Sequence, residues 1–126
     1  MSRNLWGDFP VEEDVKTPES VLRDQAQILA EATQGLLDGR LEFSQKGSDF
    51  DIRFYIVAPL LNNFRYLVAR VVYPATLFPV EVWGADELLA YTCKDMDEFE
   101  EAIGRILQSE NTRRAYSVLL AQSRNR

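Results

Sequence analysis

The stretch LDGRLEFSQKGSDFDIRFYIVAPLLNNFRYLVARVVYP, Leu37 to Pro74, decides the fold, because its apolar residues recur every second position. Leu37, Gly39, Leu41 and Phe43 fall on one face of a first strand, with Asp38, Arg40, Glu42 and Ser44 on the other. Lys46-Gly47-Ser48-Asp49 is a turn, after which Phe50, Ile52, Phe54 and Ile56 point inward and Asp51, Arg53, Tyr55 and Val57 outward. Pro59 stops that strand, and Asn62-Asn63 turns the chain into Phe64 to Tyr73. There Leu67, Ala69 and Val71 are expected inside, with Tyr66, Val68 and Arg70 outside. Connections this short join only antiparallel neighbours, since a parallel pair needs a crossover of about a dozen residues or more.

Working outward, Val80 and Val82 opposite Glu81 and Trp83 make a fourth strand, whose flanking prolines suggest an edge. Leu88 to Cys93 either adds a fifth strand or pads the core. Before the sheet, Thr17 as N-cap, Pro18 at the first helical position and Glu19 in the first turn open a helix over Pro18 to Gln34. Its apolar stripe is Leu22, Ala26 and Leu29, and Gly35 is a left-handed stop. After the sheet, the Asp95 and Glu98 spacing matches a capping box ahead of Phe99, Ala102, Ile103 and Ile106; Ser109 caps a last helix bearing Ala115, Val118, Leu119 and Gln122. The expectation is an α+β fold with an N-terminal helix, an antiparallel meander of four to five strands and two C-terminal helices. Residues 1–16 form an N-terminal tail and residues 17–126 a single domain. In the tail, Trp6 and Phe9 are expected to pack over one end of the core, since exposing both rings is unfavourable; the alternative is a short segment that docks on a partner.

With 126 residues, the chain suits one core. Its 46% hydrophobic and 27% charged residues are ordinary for a globular protein. One cysteine, Cys93, allows no internal disulfide, and neither a membrane span nor a secretory signal is evident, so a cytoplasmic location is expected. The net charge is −6, with eight acidic residues between Glu81 and Glu101 against Lys94 alone. Arg113, Arg114, Arg124 and Arg126 near the end complement a helix dipole more readily than they read nucleic acid, and no nucleic-acid partner is expected.

Catalysis is not expected. The chain has no histidine, the commonest general base, nucleophile activator and metal ligand. Cys93 has an apolar neighbourhood with acids at Asp95 and Asp97, which disfavours a thiolate. The carboxylates Asp95, Asp97, Glu98, Glu100 and Glu101 occupy the solvated side of a helix and miss the calcium-loop spacing; Gly35 to Arg40 lacks a phosphate-loop ending. No metal, nucleotide or other cofactor is assigned. What remains is the outer sheet face, where Arg53, Tyr55, Tyr66 and Arg70, with Trp83 near the edge, are residue types enriched at interface hot spots. The competing reading of that face is an ordinary solvated surface with cross-strand pairs.

The run Phe54-Tyr55-Ile56-Val57-Ala58-Pro59, then Asn62-Asn63-Phe64-Arg65-Tyr66 and Leu77-Phe78-Pro79-Val80, resembles small bacterial α+β proteins of unknown function. The helix-meander-helix outline is similar to immunity-type proteins of toxin systems. The resemblance spans about Thr17 to Ser123, carries no catalytic signature and transfers no residue role. The outline alone implies an immunity-like role; the sheet face and the missing catalytic signals lead to the expectation of a non-catalytic protein-protein interaction module of bacterial type, binding a protein partner or itself as a homodimer. A dimeric adaptor similar to type III secretion chaperones is the alternative, although those place a helix between strands. A small-molecule-binding domain comes third, since the inner faces offer few convergent polar groups.

Overall fold

The computed structural model describes residues 2–9 and 15–126. Helix α1 (Pro18–Ala32) is followed by β1 (Asp38–Lys46), β2 (Asp49–Ala58), β3 (Phe64–Tyr73), β4 (Val80–Gly84) and β5 (Tyr91–Cys93), then α2 (Met96–Leu107) and α3 (Glu110–Arg124). The five strands lie in the order β1-β2-β3-β4-β5, every neighbour antiparallel. This is the expected meander with its fifth strand present. Because β5 pairs with β4, the edges are β1 and β5, and the proline-flanked β4 lies inside the sheet. Pro79 precedes β4, where its missing N–H costs no ladder bond.

The punctuation of the helices follows from donor-acceptor chemistry. Thr17 Oγ1 accepts from the Ser20 N–H at 3.0 Å, and Ser20 Oγ accepts from the Thr17 N–H at 2.9 Å, so two otherwise orphaned donors are satisfied. The helix ends two residues before the expected Gln34, because Gln34 and Gly35 both take positive φ, 54° and 82°. Asp95 caps α2 by accepting from the Glu98 N–H at 2.9 Å; Glu98 reaches back to the Lys94 N–H instead of the Asp95 N–H. Ser109 caps α3 through the Thr112 N–H.

Between the strands, Gly47, at φ 63°, completes a two-residue turn closed by Lys46 and Asp49. Between β2 and β3 a short 3-10 turn (Pro59–Leu61) leads into Asn62 and Asn63, both left-handed, a conformation asparagine tolerates.

All three helices cover one face of the sheet. α1 lies against β1, α2 against β3, β4 and β5, and α3 against β2 and the 3-10 turn. The core between them joins Leu22 and Ala26 of α1 to Leu37, Ile52, Phe54, Ile56, Val71, Val80 and Val82 of the sheet side, and to Phe99, Ala102, Ile103, Ile106 and Leu119 of the last two helices. Phe99 is fully buried, which is worth roughly 1.5–3 kcal/mol of transfer free energy. Cys93 is buried in the same cluster, and burial, reinforced by Glu98 and Asp95, pushes its thiol pKa up.

Two expectations about packing are corrected. Trp6 and Phe9 are 81% and 64% exposed and meet each other, ring centroids 5.9 Å apart, so in this structure they do not cap the core. The tail residues Val11, Glu12, Glu13 and Asp14 lie outside the described residues. The second correction concerns β3. Phe54 pairs with Ala69 but Tyr55 pairs with Leu67, so Val68 is an extra residue, a β-bulge. Every position before it changes face: Leu67 turns outward and is only partly buried, while Tyr66 turns inward.

Candidate functional site

The face without helices carries three aligned rungs. In one, Glu42, Arg53, Arg70 and Trp83 stand opposite one another across β1 to β4. On one side of it lie Arg40, Tyr55 and Leu67; on the other, Ser44, Asp51, Val72, Glu81 and Thr92. Alternation places these side chains outward, because their neighbours Ile52, Phe54, Val71 and Val82 belong to the core.

Ion pairs and ring contacts hold this face in order. Arg70 grips Asp51 with a fork: Nη2 donates to Oδ2 at 2.7 Å, and Nε is shared between the two oxygens at 3.1 and 3.2 Å. Asp51 is 5% exposed, and the Arg70 hydrogen bonds hold its pKa below the usual carboxylate value. The same guanidinium lies 5.3 Å from the Trp83 ring centre. Arg65 donates to Glu42 at 2.6 Å and stacks 4.5 Å over Tyr55, and this bond likewise lowers the Glu42 pKa. Val57 and Val72, though on this face, are each 4% exposed. The surface is therefore not a loose fringe of side chains but two guanidinium groups fixed over aromatic rings, with valines filled in between.

Of the five expected contact residues, Arg53, Tyr55, Arg70 and Trp83 share this face. Tyr66 does not. The bulge at Val68 sends it to the helix side, where it lines a cavity of about 270 Å³ with Val68, Asp86, Tyr91, Arg105 and Ile106, and where burial, with Asp86 nearby, raises its hydroxyl pKa. Its place on the open face is taken by Arg65 and Leu67, which were not among the expected contact residues. The signal for them is the spacing of Arg65 and Arg70: five residues apart, they share a face only if one extra residue intervenes.

The helix side has a second concavity, an apolar groove of about 400 Å³ between α1 and α3, lined by Ile28, Leu29, Phe54, Leu107, Tyr116 and Leu120. Among the described residues no group of histidine, cysteine, aspartate and glutamate side chains is arranged to hold a metal ion, and no helix is long and apolar enough to cross a membrane. Compared with known protein families, curated proteins and solved structures, the chain matches none.

Proposed function

We propose that this chain is a non-catalytic protein-protein interaction module acting in a bacterial cytoplasm, and that the helix-free sheet face bearing Arg53, Tyr55, Arg70 and Trp83 is its contact surface. The observation that carries the proposal is the pair of guanidinium groups fixed in advance, Arg70 between Asp51 and Trp83 and Arg65 between Glu42 and Tyr55. A partner meeting side chains already held in place loses less conformational entropy than one that must order them. The composition supports a binding role over catalysis: there is no histidine, and the single thiol is buried with a raised pKa. The immunity-like reading keeps its support in the order of the elements. The secretion-chaperone alternative loses support, since only a three-residue 3-10 turn interrupts the strands.

A photo-crosslinking amino acid in place of Tyr55, compared with one at the exposed Gln27 on α1, tests the reading in the native cell. A discrete protein adduct from position 55 that is absent from position 27 is the expected result. Adducts from 27 alone, or from neither, count against the sheet face. A second reading, an apolar small molecule bound between α1 and α3, is favoured only by the groove there, and its size falls within the range of ligand pockets.

A further inference from the structure

Arg53 and Arg70 stand directly opposite each other on β2 and β3, the arrangement in which like charges destabilise a sheet. The neighbouring carboxylates Glu42, directly opposite on β1, and Asp51 attract Arg53 and offset this only in part. Asp51 is taken by Arg70 and Glu42 by Arg65, so among the described residues Arg53 forms no ion pair. Three guanidinium groups thus share two carboxylates, on a molecule whose overall charge is −6. Arg40, one rung away beside Tyr55, adds another exposed cation to this centre. A like-charge rung offset inside the chain only by Glu42 and Asp51, each already bonded to another arginine, leaves Arg53 with its donors open to a charge from outside.

We infer that the surface recognises an acidic segment of a partner protein, one carboxylate seating on Arg53 and an adjacent apolar or aromatic side chain resting among Tyr55, Leu67 and Trp83. This inference rests on the functional reading above and names the chemistry of the partner. The guanidinium fork suits a carboxylate in two-point contact, and Arg70, immobilised by Asp51, sits beside the incoming charge without having to be ordered. Glu81 bounds the patch on the same face, and the acids from Asp86 to Glu101 repel the same segment elsewhere, which together favour a single docking orientation.

A displayed library of random peptides, selected on the full chain, provides the test. The expected result is enrichment of peptides with aspartate or glutamate next to aromatic or aliphatic residues. Their binding should weaken roughly tenfold or more on Arg53→Glu, recover in part with Arg53→Lys, and fall with added salt. Arg114→Glu on α3 should leave it unchanged. Because Arg53 is exposed, its variants are expected to keep the fold, which melting curves check. Enriched peptides that are neutral or basic, yet lose binding on Tyr55→Ala, overturn the acidic partner while sparing the sheet face. Peptides indifferent to both Arg53 and Tyr55 overturn the two readings together. A library that yields nothing, a second copy of the chain found on this face by sedimentation, or a nucleic acid strand competing there, each overturns the inference.

Discussion

Gly39 of β1 lies so close beneath Ala26 of α1 that a Cβ built on it would come within 2.5 Å of the Ala26 Cβ and 2.7 Å of its Cα. The contact sets how near α1 can approach the sheet. Because one of the opposing atoms is backbone, the helix itself has to move if Gly39 gains a side chain. Gly39→Ala is expected to destabilise the protein by about 1–3 kcal/mol, and Gly39→Val by more, as lowered midpoints in thermal or denaturant unfolding.

The bulge at Val68 makes opposite forecasts for two apolar residues. Phe54 is 2% exposed in the core, so Phe54→Ala should cost about 3–5 kcal/mol through cavity formation. Leu67 faces the open side and is only partly buried, so Leu67→Ala should cost about 1 kcal/mol or less. A comparison of urea midpoints decides the matter: equal large losses for both variants would place Leu67 inside after all.

Stability in acid should depend on the Arg70–Asp51 pair. Since the folded-state pKa of Asp51 is lowered, its contribution is complete above the unfolded aspartate value of about 3.9 and is lost as pH falls through the folded value. Arg70→Met leaves a nearly buried carboxylate without its ion-pair partner and should cost about 1–3 kcal/mol near neutrality. The gap between the variant and the original protein should narrow on acidification, when Asp51 is protonated in both. A gap independent of pH would assign the cost to lost packing of the arginine stem.

Ser123, in the last turn of α3, is 1% exposed, and its Oγ meets no hydrogen-bond partner among the described residues. Ser123→Ala removes a buried hydroxyl that gains nothing in the folded state, and alanine is the better helix former. The variant should be more stable by about 0.5–1.5 kcal/mol, read as a raised melting temperature.

Most of the architecture was legible because period and punctuation agree. Thr17-Pro18, Gly47-Ser48, Asn62-Asn63, Asp95 and Ser109 mark boundaries by local chemistry that the tertiary structure leaves intact. The face of Tyr66 was not legible from alternation alone. The stretch Leu67-Val68-Ala69 has no polar residue to show which position looks outward, and the bulge leaves Leu67 partly exposed while Val68 is buried. Arg65 held the clue, since strict alternation from Arg70 would have pushed its charge toward the core. The exposure of Trp6 and Phe9 was missed for a different reason: a general preference for burying rings says nothing about whether a particular surface fits them.

Because the strand order follows the chain order, each strand finds its partner in the segment made just before it. During synthesis the sheet can therefore grow one hairpin at a time, without waiting for distant sequence. Its covering layer arrives unevenly. α1 precedes the sheet, whereas α2 and α3, which shield β2 to β5, are made after it. A nascent chain arrested before Asp95 would present Ile52, Phe54, Val71, Val80 and Val82 on a partly bare surface, the stage at which a chaperone would have the most to protect.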